Sequence, residues 1–213
     1  MYDRKTDLLC AMVCFLLAGL LFLGRLQDSR EALAGRLAPA MLRFHILANS
    51  DSDADQQVKL EVRSLILDYM QEHMKGGGKA ETIDFLNTHK SEIEDAAGAW
   101  LKKRGFPYSA RLEMTRSYFP TRVYDDVVIP CGVYDAARVT LGAGKGHNWW
   151  CVLYPRFCFV DAACREVPEE SRALLYENLS QDDRLALEDD RPEIDIRFLF
   201  FPSLVLTPPS PDR

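Results

Sequence analysis

Near its start the chain carries a run without a charged residue, Leu8 to Gly24 (LLCAMVCFLLAGLLFLG). At ~1.5 Å of rise per residue it sits at the short end of what crosses a bilayer. No polar position marks an outward face, so it does not read as a core helix of a soluble protein. Residues 27–40 are helical in pattern and interrupted at Pro39, and read as a linker. From Leu42 to Ala48 the period changes to two: Phe44 and Ile46 alternate with Arg43 and His45, which predicts a strand. Asn49-Ser-Asp-Ser-Asp53 then offers several N-caps, with Asp53 and Asp55 suited to the positive end of a helix. Val58, Val62, Leu65, Ile66 and Tyr69 mark one face of that helix, which runs to about Lys75 and stops at Gly76-Gly77-Gly78.

A second helix is predicted over Lys79 to Arg104, with Ile83, Leu86, Ile93, Ala97 and Trp100 as its stripe; Gly105 and Pro107 end it. Ser109 to Phe119 alternates as a strand and Pro120 closes it. Val127–Ile129 reads as a short strand turning at Pro130-Cys131-Gly132 into a second, Val133–Leu141, with Val133, Ala137, Val139 and Leu141 on one side: a hairpin. Trp149–Tyr154 and Phe157–Val160 are apolar on both faces and read as buried, separated by Pro155. Pro168 to Asp190 is acidic and loosely helical, with Leu174, Leu175 and Leu179 facing inward. Ile194 to Leu206 is strand-like, and the Pro-rich tail reads as disordered. There is no internal repeat. Strands and helices do not alternate regularly, so the expected class is α+β. It has a mostly antiparallel sheet with helices packed on one face, preceded by one N-terminal hydrophobic membrane segment. The expected division is 1–26 signal peptide or membrane anchor, 27–40 linker, 41–206 extracytoplasmic domain and 207–213 disordered tail.

Composition changes this picture in two ways. The formal net charge is −6 over 213 residues, which argues against a nucleic-acid binder, since such proteins carry a basic face. Lys102-Lys103-Arg104 is the one mild basic cluster and reads as a solvated helix C-terminus. The N-terminal segment sets the compartment. A signal peptide has a shorter apolar core and a nearby small-residue cleavage site. Here the candidates, Ala32-Leu33-Ala34 and Ala38-Pro39-Ala40, lie well beyond the run, so anchor and cleaved signal both stand. In either case the bulk of the chain lies outside the cytosol, where disulfides persist. Cys10 and Cys14 lie in the apolar run. Cys131, Cys151, Cys158 and Cys164 allow three full pairings. Cys151–Cys158 is the leading disulfide candidate, with Cys131 and Cys164 free or paired together.

Unusual chemistry concentrates in Gly142-Ala-Gly-Lys-Gly-His-Asn-Trp-Trp-Cys151. A phosphate loop needs Gly-Lys followed by Ser or Thr, with the hydroxyl on Mg²⁺; here Gly146 and His147 follow Lys145, and the spacing fails. Asp51-x-Asp53-x-Asp55 resembles the start of a calcium loop, but Gln56 stands where glycine is needed and Val62 where glutamate is needed. His147, Cys151, Cys158 and Cys164 lack the tight pairs of structural zinc, so neither metal nor cofactor is expected. His147 and Cys151 suggest a base and a nucleophile, with Asn148 or Asp161 orienting the imidazole. A disulfide at Cys151 would remove that mechanism. The adjacent Trp149 and Trp150 point to opposite faces if extended.

Three stretches together resemble the stage II sporulation protein R family. They are Leu42-Arg-Phe-His-Ile-Leu-Ala-Asn-Ser-Asp-Ser-Asp-Ala-Asp-Gln-Gln-Val-Lys-Leu-Glu-Val-Arg63, then Pro130-x-Gly132-x-Tyr134-x-Ala136-x-Arg138-Val139, then Gly142-x-Gly144-Lys-Gly-His-Asn-Trp-Trp-Cys-Val-Leu-Tyr-Pro-x-x-Cys158. The likeness covers about Met41 to Asp161. Cys131 departs from it, since a small residue such as Ala is expected in the Pro-x-Gly turn. The resemblance implies a signalling protein made in the forespore and exported, or anchored, to face the space between forespore and mother cell. There it would activate a membrane-embedded aspartic protease of the mother cell, which processes the precursor of sporulation sigma factor E. It implies no catalytic residues. The expected partner surface is the Asn49–Asp55 turn (Asn49, Ser50, Asp51, Asp53, Asp55) with the loop residues Lys145, His147, Asn148, Trp149 and Trp150. The alternative is an extracytoplasmic Cys/His hydrolase or transpeptidase.

Overall fold

The computed structural model describes residues 4–74, 76–158, 167–177, 179–188, 196–198 and 201–206. The apolar run belongs to one long helix, α1 (Arg4–Leu37), long and apolar enough to cross a membrane. The segment read as a linker is helical through Leu37, and a 3-10 turn follows at Ala38–Ala40. Leu33, Ala34 and Leu37 are buried in the core.

The central sheet has the order β2-β5-β1-β6, built from β1 (Leu42–Leu47), β2 (Ala110–Phe119), β5 (Gly132–Leu141) and β6 (Asn148–Tyr154). β5 runs antiparallel to β2 and parallel to β1, and β1 runs antiparallel to β6. The class is thus α+β with a mostly antiparallel sheet, as expected. Register sets the faces, because side chains alternate along each strand. Phe44 pairs with Ala137 and Ile46 with Val139, so these four share a face, and Leu112 and Met114 of β2 join them. That face is covered by α2 (Asp53–His73), α3 (Lys79–Thr88) and α4 (Lys90–Lys103), which bury Val58, Val62, Ile66, Leu86, Ile93, Ala97 and Leu101.

Several expectations change. The helix predicted over Lys79 to Arg104 is two helices. His89, at φ −97° and ψ 13°, ends α3 and opens α4. Leu101 rather than Trp100 completes the stripe; Trp100 sits at the rim, its Nε1 donating to Glu61 at 3.0 Å. The hairpin expected between Val127–Ile129 and Val133–Leu141 does not form. β4 (Val127–Ile129) pairs with β3 (Arg122–Tyr124), because both edges of β5 are already taken by β2 and β1. Val133 is 47% exposed: it pairs with Tyr118, itself exposed, at the end of the ladder.

After β6, Phe157 and Cys158 are buried but not in a strand; Val160, Asp161 and Cys164 lie outside the described residues. The acidic stretch holds two short helices, α5 (Glu169–Tyr176) and α6 (Gln181–Leu187). Leu175, Leu179 and Leu187 face inward, while Leu174 is exposed. β7 (Ile196–Phe198) and β8 (Phe201–Leu206) form a separate hairpin. The expected disordered tail, 207–213, lies outside the described residues.

Candidate functional site

The parallel pairing of β1 with β5 carries both strands to the same end of the sheet. There the turn after β1 meets the loop after β5. The two stretches with the most unusual residues, distant in sequence, are therefore one structure. Gly146 N–H donates to Ala48 O at 2.9 Å and Lys145 N–H to Asn49 O at 3.2 Å. Ala143 N–H donates to Asn49 Oδ1 at 2.9 Å, and His147 N–H to Asp51 Oδ1 at 2.7 Å. The His147 ring pairs with the same carboxylate through Nδ1. Two glycines allow this approach. Gly142 has φ +55°, and a Cβ there would lie 2.4 Å from Asn49 Oδ1; at Gly146 it would lie 2.1 Å from Ser50 O. No larger residue fits either position without moving the turn.

Asp55 is the hub of the turn. It is buried at 5% exposure, and its carboxylate accepts from Asn49 Nδ2 at 2.9 Å, Ser50 Oγ at 2.5 Å and the Tyr108 hydroxyl. Ser52 is the N-cap of α2 and accepts from Asp55 N–H at 3.2 Å. Burial alone would raise the Asp55 pKa. The hydrogen bonds from Ser50, Tyr108, Asn49 and Ser52 outweigh it and hold the carboxyl below its ordinary range. Lys59, one turn along α2, braces the loop from below: its Nζ donates to His147 O at 3.0 Å and to Gln56 Oε1 at 2.6 Å. Burial lowers its pKa. Gln56 Nε2 in turn donates to Ser50 O at 2.9 Å.

The residues expected to form a surface thus divide. Asp51, Asp53, Lys145 and His147 face solvent, with Asp51 and His147 side chains 54% and 78% exposed. Asp53 stays outside the interlock, in the first turn of α2. Asn49, Ser50 and Asp55 build the turn. Asn148, Trp149 and Trp150 belong to β6. Asn148 Oδ1 meets His45 Nδ1 at 3.1 Å. Trp149 lies edge-on to Phe44 at 5.9 Å, with the Arg63 guanidinium 5.0 Å from its ring. Trp150 stacks on His45 at 5.0 Å on the opposite face. Each tryptophan is half-buried. Tyr108, Gln56 and Lys59 were not singled out from sequence. Lys59 meets Gln56 and His147 O rather than Asp55 four residues before it, so helical spacing carries no signal for its role, and Tyr108 offers none either.

Cys151 and Cys158 form a disulfide with Cα atoms 6.2 Å apart. A bonded, fully buried sulfur cannot act as a thiolate nucleophile, so the pairing with His147 does not assemble. Among the described residues, no group of three or more His, Cys, Asp or Glu side chains is arranged to hold a metal ion. The pieces that invited catalysis are used for construction, and the outward atoms present two carboxylates, an ammonium and an imidazole.

The family model for stage II sporulation protein R matches residues 38–164. The chain is also 34% identical over 173 residues to the stage II sporulation protein R of Bacillus subtilis (strain 168), covering 78% of this chain and 76% of that protein. The chain belongs to the stage II sporulation protein R family. Its role is accordingly in sporulation. No solved structure matches the chain. The family match begins inside the 3-10 turn before β1 and contains every residue of the interlocked turn and loop. In this member of the family, the second face of β1 holds a further cluster. Arg43 is fully buried, its Nε donating to Cys151 O at 3.0 Å and its Nη2 to the Tyr124 hydroxyl at 3.1 Å. Its guanidinium lies 4.5 Å from the Phe119 ring centroid and 5.1 Å from that of Tyr134. Arg43 ties the disulfide-bearing strand to the β3–β4 hairpin, and the Tyr124 hydroxyl adds a direct bond to Trp150 O at 3.4 Å.

Proposed function

We propose that the protein is a non-enzymatic signalling ligand of sporulation, made in the forespore and facing the space between forespore and mother cell. It activates a membrane-embedded aspartic protease of the mother cell, leading to processing of the sigma factor E precursor. The observation that carries the surface is the Asp51–His147 contact. It welds the turn after β1 to the loop after β5 and leaves both side chains exposed. A ligand shifts its partner's equilibrium only by binding one state better than the other, and a rigid, charged turn can make that distinction at low entropic cost. Membership of the sporulation family supports the process, and the disulfide at Cys151 supports binding over thiol chemistry.

The test is reconstituted activation of the protease by the full chain. Lys145→Ala reduces activation by about tenfold or more, the size of an interface hot spot, while the melting temperature stays within about 3 °C; Asp51→Ala reduces it at least as much, and because it also frees the His147 N–H and ring from the turn its melting temperature falls further. Trp149→Ala is a less selective probe, because its ring packs on Phe44. Full activation by the Asp51→Ala and Lys145→Ala double variant removes this surface from consideration.

A further inference from the structure

At the far end of α2 from the interlocked turn, an open cleft of 490 Å³ lies between α2 and α3, lined by His73, Glu81, Asp84, Phe85 and His89 among others. Much of its wall is made of rings. His73 stacks on Tyr69 at 4.3 Å and His89 on Phe85 at 4.2 Å, and Tyr69 lies 6.2 Å from Phe85. The Tyr69 hydroxyl donates to Glu92 of α4, which holds its ring between the helices. Hydrogen bonding sets the polarity of the cleft. His73 Nδ1 meets Tyr69 O at 2.8 Å, and His89 Nδ1 meets Phe85 O at 3.0 Å. A carbonyl only accepts, so Nδ1 carries the proton in both rings, and Nε2 of the neutral imidazole is an acceptor. Glu81 accepts from Gly78 N–H through one oxygen at 3.0 Å and keeps the other. Asp84 is exposed. The described lysines nearest to them, Lys79 and Lys90, pair elsewhere, with Asp135 and Glu94. His73 and Met74 bring the C-terminal end of α2 to the cleft, and with it the negative end of the helix dipole.

We propose that this cleft is a second interaction site and receives an arginine side chain from a partner protein. Its polar side chains are anions and acceptors, with the Thr88 hydroxyl able to take either role. The ligand that matches carries positive charge, several donors and no acceptor. A guanidinium has five N–H donors and no acceptor. It is also flat and stacks on aromatic faces, where the compact ammonium of lysine is a hydrated point charge. A phosphate or carboxylate would meet Glu81 and Asp84 at close range. An apolar side chain would take those carboxylates out of water without a partner. The cleft is remote from the charged turn, because the 21 residues of α2 lie between them, about 30 Å at ~1.5 Å per residue. A contact at one end therefore leaves the other open. The inference does not depend on what the Asp51–His147 surface meets.

The experiment uses the full chain in detergent, labelled at the ring carbons of its four histidines, and follows their NMR signals as a capped glycyl-arginyl-glycine tripeptide is added. The His73 and His89 signals shift saturably, with Kd on the order of 1 mM, while buried His45 and distant His147 do not follow that curve. Glu81→Gln combined with Asp84→Asn keeps side-chain shape and weakens binding by about tenfold or more. Phe85→Leu weakens it by about threefold. The same tripeptide with citrulline, which keeps the shape and loses the charge, gives no saturable shift, and the lysine tripeptide binds several-fold more weakly. Absence of a saturable shift at His73 and His89 up to about 50 mM overturns the proposal. So does an equal response to the citrulline peptide, an equal response at His147, or binding that ignores the Glu81 and Asp84 substitutions. Equal affinity for the lysine peptide overturns the assignment to arginine.

Discussion

The two faces of β1 are built on different principles. Toward the helices stand Phe44 and Ile46, both buried among apolar side chains of α2 and α4. On the other side stand Arg43 and His45, at 0% and 5% exposure. An alternating pattern ordinarily means one buried face and one wet face. Here the polar members are buried too, and aromatic rings take the place of water. Phe119, Tyr124 and Tyr134 surround Arg43; Trp150 and Phe119 enclose His45. The first face contributes stability by area removed from water. The second ties three pieces of chain together by direction-dependent contacts that tolerate little substitution.

Substitutions on the two faces separate these roles, and the largest effect is on the apolar side. Phe44→Ala removes a fully buried ring that also supports Trp149, and costs about 3–5 kcal/mol. The measurement is chemical denaturation of the full chain in detergent. A cost below about 1 kcal/mol would mean that the helix face is not the main source of stability.

Arg43 tests the other face. Arg43→Ala leaves a void among three rings and strips partners from Cys151 O and the Tyr124 hydroxyl, at a cost of about 3–4 kcal/mol. Arg43→Met fills most of the void and loses only the hydrogen bonds, so about 1–2 kcal/mol is expected. The difference between the two variants measures filling against hydrogen bonding. Equal costs would show that the polar contacts alone hold the hairpin to the sheet.

The same contrast explains what the sequence revealed. α2 was legible because Val58, Val62 and Ile66 keep one period for its whole length and the glycine run ends it. The break at His89 was not, because Asn87-Thr88-His89 contains no Gly or Pro to announce it. The misplaced hairpin followed from a local turn signal, whereas pairing depends on which strand edges remain free. The site divides similarly. Its two stretches stood out by residue type, and the Cys151–Cys158 disulfide was anticipated. Their meeting was not visible, since it arises from the parallel pairing of β1 with β5, and no local pattern reports such a pairing. The burial of Arg43 and His45 has no local signal for the same reason: Phe119, Tyr124, Tyr134 and Trp150, which enclose them, come from much later in the chain.

The smallest expected effect at moderately acid pH lies at His45. Burial is the main cause that pushes its pKa down to about 4 from 6.5; the Asn148 hydrogen bond opposes this, and Arg138 and Arg43 add to it. The imidazole is therefore neutral in the fold, with Nδ1–H directed at Asn148 Oδ1. Between these two pKa values the unfolded chain binds a proton that the folded one does not, so stability falls as pH falls. The contribution is intact above pH 6.5, and the loss flattens below the folded pKa of about 4. It reaches about 1 kcal/mol at pH 5.5 and up to about 3 kcal/mol at pH 4. His45→Phe keeps a ring against Trp150 and removes the titration. Carboxylates such as Asp55 titrate in both proteins, so the informative quantity is the difference between the two pH–stability curves. That difference should grow as pH drops from 6.5 and level off near 4. Parallel curves would mean that the imidazole is accessible to protons in the folded state, and that the second face of β1 is wetter than its packing indicates.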